Sequence, residues 1–88
     1  MIQFKPLTIA DIETIVTMMQ EFYAIDNYPI DIVVSKALFE EFIKHENLGK
    51  SWLIVSDNEL IGYIILTFVF SFEYHGKIAF LDELYLTE

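Results

Sequence analysis

The chain has 88 residues, 55% apolar and 16% aromatic, with a net charge of −9, no cysteine and no arginine. This excludes a disulfide framework or thiolate site and the aromatic-poor disordered class, and five lysines against fourteen acids exclude the basic patch that nucleic acid needs. One domain of this size buries only about 60–65% of its unfolded surface, so so much apolar side chain must cover both faces of a sheet or meet another chain.

Met1 to Lys5 alternates, with Ile2 and Phe4 on one side, as in a short edge strand that Pro6 ends. Thr8 and Asp11 form a variant of the capping box, with Asp in place of Glu. Ile9, Ile12, Ile15, Val16, Met19, Phe22 and Tyr23 then recur at helical spacing, one apolar stripe on a helix to about Ala24. Asp26-Asn27-Tyr28-Pro29 is loop chemistry. Asp31 is the expected N-cap of a second helix, Ile32 to about Glu46, whose predicted buried face is Val34, Ala37, Leu38, Phe42 and Ile43. Gly49 suits the αL cap that follows a helix.

Ser51 to Ser56 reads as a strand, with Trp52 expected against a helix. Asp57-Asn58 suits a two-residue hairpin because both residues tolerate positive φ. Leu60 to Phe72 is apolar at both parities, which predicts a strand buried on both faces. Its length calls for a bulge or bend, with Gly62 a candidate site. This apolar run of 13 residues is short of the roughly 20 a membrane helix needs. No basic start followed by an apolar stretch marks a signal peptide, so a cytoplasmic chain without membrane partners is expected. Glu73 to Gly76 is a second hairpin turn, and Lys77 to Leu86 the last strand. The order is β-α-α-β-β-β, an α+β class with an antiparallel meander and two helices.

The candidate chemistry lies in that last strand. Asp82 and Glu83 are adjacent, so regular alternation sends them to opposite faces and forbids a dyad on one side. A carboxylate in mid-strand needs a donor, a cation or a wet rim. Tyr28 sits in a loop with no helical face to account for it; Tyr23 continues the buried stripe; Tyr85 lies beside the acids. His45 and His75 share no metal-ligand spacing, and Gly49, Gly62 and Gly76 are too far apart for a phosphate loop.

The element order, Glu59-Leu60-Ile61-Gly62-Tyr63 opening the long strand, and Phe80-Leu81-Asp82-Glu83-Leu84-Tyr85-Leu86 together resemble the N-terminal half of the GNAT superfamily of N-acetyltransferases, an acyl-CoA N-acyltransferase fold. The aromatic third strand and the Leu-Asp-Glu ending are similar to its diamine and polyamine branch. The resemblance implies transfer of an acetyl group from acetyl-CoA to a primary amine of a small molecule. It implies that the main chain of Leu84 and Leu86 holds the cofactor and polarises the thioester. It gives Asp82 and Glu83 the task of holding or deprotonating the amine, and makes Tyr23, Tyr28 and Tyr85 substrate-lining residues.

In that family a pyrophosphate loop, Gln/Arg-x-x-Gly-x-Gly/Ala, would begin just after Glu88. Residues 1–88 are therefore expected to be a single truncated domain that binds acetyl-CoA weakly or not at all and does not turn over alone. It is expected to form a homo-oligomer through the exposed last strand. The alternatives are a non-catalytic remnant that acts as a dimerising or partner-binding module, and an unrelated small α+β binding domain.

Overall fold

A computed structural model describes residues 1–87. Strand β1 (Ile2–Pro6) leads through a 3-10 turn (Ile9–Asp11) into helix α1 (Ile12–Ile25), then α2 (Ile32–Lys44) and three further strands, β2 (Gly49–Ser56), β3 (Glu59–Ser71) and β4 (Gly76–Leu86). The strands lie in chain order, each antiparallel to the next. This is the predicted α+β arrangement of a meander with two helices.

Local chemistry sets each boundary. The Asp11 carboxylate accepts from the Thr8 N–H and hydroxyl at 3.0 and 2.9 Å, which opens the first helical turn. Asp31 caps α2, its Oδ1 accepting from the Val34 N–H at 3.0 Å. Asp57 and Asn58 both take positive φ, 51° and 66°, as a tight hairpin between twisted strands requires.

The core forms between the helices and one face of the sheet. Ile12, Ile15, Val16, Met18 and Met19 of α1 and Phe39 of α2 close over Leu53, Tyr63 and Ile65. The α1 stripe matches the sequence pattern, with Met18 added and Ile9 left exposed. The α2 face is rotated from its expected place. Phe39 is buried, with Phe42 and Ile43 packed beside it, while Val34 and Leu38 are more than half exposed. Apolar residues flank α2 on two sides, so periodicity alone could not choose between them. Tertiary contacts do, among them the Lys36 Nζ to Glu13 Oε1 ion pair at 3.2 Å between the helices.

Three further expectations are corrected. Gly49 does not cap α2, which ends on His45; it opens β2, where an added Cβ would strike the Leu66 carbonyl oxygen and come within 2.6 Å of the Phe42 ring. Trp52 pairs with Ile64 on the face turned away from the helices. The long strand β3 is not buried on both faces, because both helices lie on one side. Past Thr67 it pairs with β4 alone, a projecting two-stranded ribbon on which Phe70 and Phe72 are 69% and 89% exposed.

Two bulges interrupt the ladder. Ile54 pairs with Gly62 but Val55 with Leu60, leaving Ile61 extra on β3. Ile65 pairs with Glu83 but Leu66 with Leu81, leaving Asp82 extra on β4. The second bulge shapes the candidate site.

Candidate functional site

Strand β4 would alternate strictly without its extra residue. A bulge sets two residues against one and bends the strand that carries them. Asp82 and Glu83 consequently line the same cleft on the helix side, together with Met19, Tyr23, Ser35 and Phe39. The expectation that alternation separates them to opposite faces is overturned, because the bulge at Asp82 suspends the two-residue period at that point.

Glu83 is the centre of the arrangement. Its register opposite Ile65 aims it beneath the helices. There the Tyr23 hydroxyl donates to Oε2 at 2.6 Å and the Tyr63 hydroxyl to Oε1 at 2.7 Å. Each is a short hydrogen bond to a charged acceptor, the stronger kind. Burial pushes the Tyr63 phenol well above its ordinary value, and the hydrogen bond and charge of Glu83 push it further. Tyr23 is raised for the same reasons in the same order, with Asp82 adding a smaller push. Both phenols therefore stay neutral donors. A carboxylate offers about four lone-pair directions, and two remain for a further donor.

A cluster of rings sets the phenols in place. Phe22 packs on Tyr85 at 5.1 Å between centroids and on Tyr63 at 6.3 Å, and Tyr63 lies 5.9 Å from Tyr85. Tyr85, expected to line the substrate site, belongs to this cluster. Gly62 makes room beside it, since a Cβ there would collide with the Tyr85 carbonyl oxygen.

A second cleft opens on the other side of Glu83. Phe22, Tyr23, Asp26, Tyr28, Pro29 and Glu83 line it, around a volume of ≈ 460 Å³, within the range of small-molecule sites. Tyr23 and Glu83 thus form a shared wall between the two clefts. The loop that carries Tyr28 is built by a Schellman ending of α1. The Tyr28 N–H bonds the Tyr23 carbonyl at 2.9 Å, the Asn27 N–H bonds the Ala24 carbonyl at 3.2 Å, and Asn27 takes the left-handed φ of 58°.

Leu84 and Leu86 contribute differently. Their side chains share a face with Ile64 and Gly62, away from the helices, and are 47% and 54% exposed. The Thr87 N–H bonds Ile61 at 2.7 Å, and Tyr85 and Glu83 follow in the same alternate register. Antiparallel alternation then turns the N–H and C=O of Leu84 and Leu86 to the outer edge of β4. No strand among the described residues pairs with that edge.

Of the residues singled out in the sequence, Asp82, Glu83, Tyr23 and Tyr28 gather around these clefts. In the sequence pattern Tyr63, Phe22 and Asp26 have only structural places, and Ser35 none. Tyr63 had a readable signal: a tyrosine at a core-facing strand position needs a partner for its hydroxyl. Among the described residues no three histidine, aspartate or glutamate side chains gather as a metal site, and no helix is long and apolar enough to cross a membrane.

No family model and no curated protein matches the chain. Solved structures do. An integron cassette protein from the mobile metagenome of Cole Harbour Salt Marsh is similar over 97% of this chain and 56% of its own, at 32% identity and a TM-score of 0.90. A possible acetyltransferase from Clostridium difficile 630 is similar over 99% of this chain and 58% of its own, at 16% identity and a TM-score of 0.84. A predicted acetyltransferase from Clostridium acetobutylicum, solved with acetyl-CoA, is similar over 98% of this chain and 60% of its own, at 14% identity and a TM-score of 0.78. The likeness to the two acetyltransferases is one of fold. The chain resembles GNAT-type acetyltransferases in fold along its whole length and spans a little over half the length of these neighbours.

Proposed function

We propose that the chain supplies the amine-binding half of an N-acetyltransferase site, in which a small primary amine takes the acetyl group of acetyl-CoA. The observation that carries this reading is Glu83, held by two phenols at 2.6 and 2.7 Å beside Asp82 and at the junction of two clefts. A carboxylate so fixed attracts an ammonium group and orients it without having to reorganise. The acetyltransferase-like fold supports acetyl-CoA as the donor.

In this reading Glu83 holds the incoming amine as its ammonium ion. Asp82, exposed at the bulge, relays the departing proton to water. The nitrogen lone pair would then attack the thioester carbonyl carbon; the C–N bond would form, the C–S bond would break with its electron pair leaving on the thiolate, and the second proton released by the new amide nitrogen would pass to that thiolate. The free N–H groups of Leu84 and Leu86 fit the task of bonding the pantetheine amides and the carbonyl oxygen on which charge develops. All three glycines lie in strands rather than before a helix. This chain's own residues therefore serve the amine and thioester end of the cofactor, not its pyrophosphate.

Titration with a primary amine, followed by the ring resonances of Tyr23 and Tyr63, tests the reading. Saturable shifts at both tyrosines that Glu83→Gln weakens about tenfold, the scale of one charged hydrogen bond, support it. Shifts elsewhere only, or an affinity indifferent to Glu83→Gln, overturn it. The exposed far face and free edge of β4 favour a second reading, a partner-binding module without transfer.

A further inference from the structure

The cleft between the α1–α2 loop and β4 has a lining unlike the rest of the surface. Three rings, Phe22, Tyr23 and Tyr28, meet two carboxylates, Asp26 and Glu83, with Pro29 closing the side and no basic group present. We propose that this cleft is a binding site for an alkylated ammonium group, separate from the place beside Asp82 where the reacting amine is held. The inference rests on the amine-acceptor reading of Glu83 and assigns the second cleft to the end of the acceptor that does not react.

Three observations converge on this ligand class. Aromatic faces attract weakly hydrated cations, methylated ammonium above all, while small hydrated ions gain little from them. The two acids give the cleft one sign of charge, in a chain whose net charge is −9. Cleft walls of low dielectric focus such a field on an entering cation. The cleft is also formed in advance. The Schellman ending places Tyr28 at the position that usually meets the residue five before it, which here is Tyr23. Tyr23 is in turn pinned through its hydroxyl to Glu83. Little order has to be gained on binding, which favours affinity.

The geometry also separates the two ends of a ligand. The Tyr23–Glu83 hydrogen bond stands between the clefts, with Asp82 on one side and Asp26 on the other. Because Glu83 lines both clefts, a ligand with an alkylated ammonium at Asp26 would have the carboxylate that the mechanism uses within its span.

The test is a titration of the 88-residue protein with tetramethylammonium chloride. Sodium chloride at equal ionic strength and tert-butanol as a neutral body of similar size are the controls, with tyrosine ring resonances as the readout. Tetramethylammonium is expected to shift Tyr23 and Tyr28 saturably and to leave the Trp52 indole unmoved. Asp26→Asn and Tyr28→Ala are each expected to weaken binding about three- to tenfold, the span of a single cation–π or screened charge contact. Both side chains are exposed, so neither change opens the core. Equal shifts from tert-butanol would reduce the site to an apolar cleft, equal shifts from sodium chloride to general charge screening, and unchanged affinity in both variants would remove the assigned residues. Each of these results overturns the proposal. Tetramethylammonium has no N–H and cannot be acetylated, so its binding is read independently of transfer. A bound cation with no primary-amine shift of Tyr23 and Tyr63 leaves this site standing and removes the amine-acceptor reading; primary-amine binding that Glu83→Gln weakens, with no tetramethylammonium bound, does the reverse.

Discussion

At the scale of single residues, Tyr63 and Tyr23 are as informative as the carboxylate they hold. Tyr63 is fully buried, so Tyr63→Phe removes the donor to Glu83 without leaving a cavity. Chemical denaturation is expected to show a loss of about 1.5–3 kcal/mol, the net worth of a hydrogen bond to a charged group. The two phenols also set an alkaline limit. Their folded-state pKa values lie above the ordinary value of 10.0. Below pH 10 the unfolded chain keeps both protons and the stabilisation is complete. Above pH 10 the unfolded chain ionises first, so stability falls as pH rises towards the folded values. Absorbance at alkaline pH is then expected to show Tyr23 and Tyr63 titrating only as the chain unfolds. Tyr23→Phe and Tyr63→Phe should each flatten the decline in stability.

Elements carry the next set of consequences. Deleting Asp82 would join Leu81 directly to Glu83, opposite the consecutive residues Leu66 and Ile65. The register on both sides is already that of a regular ladder, so the deletion variant is expected to fold and to keep the tyrosine resonances that report on Glu83. It should lose the bend that a bulge imposes and, with Asp82 gone, the ability to pass a proton to water. Retained folding with a weaker shift of Tyr23 and Tyr63 by a primary amine is the expected pair of results. The α1 ending has its own test. Asn27 at φ 58° should accept glycine freely, whereas Asn27→Val forces a β-branched residue into the left-handed region at about 1–2 kcal/mol. It should also loosen Tyr28, to be read as a lower affinity for tetramethylammonium.

For the whole molecule, the governing fact is that the helices cover one face of the sheet only. On the other face Leu84 and Leu86 are each about half exposed, and beside them the outer edge of β4 has no partner strand among the described residues. Exposed apolar surface of this kind, next to unpaired main chain, invites another strand. Without acetyl-CoA, which would compete for the same edge, we expect a homodimer through β4, measured by sedimentation at micromolar concentration. Because each copy carries a net charge of −9, added salt should strengthen the association by screening repulsion. Leu84→Lys should abolish it, and a 10.3 kDa monomer at all salt concentrations would contradict the expectation.

Much of this was legible in the amino-acid order alone. The α1 stripe, the Asp31 cap, the Asp57-Asn58 hairpin and the β-α-α-β-β-β order depend on neighbours within a few residues, and short-range chemistry is written where it acts. The acidic pair in β4 and the loop tyrosine were visible for the same reason. What the tertiary structure alone decided was orientation. Which side of α2 is buried depends on its packing against α1, not on its own nearly symmetric apolar content. Whether Asp82 and Glu83 share a cleft depends on one extra residue in β4, and a bulge is a mismatch between two strands that neither strand records by itself. The partners of Glu83 come from positions 60 and 20 residues away, a distance over which no local pattern carries information.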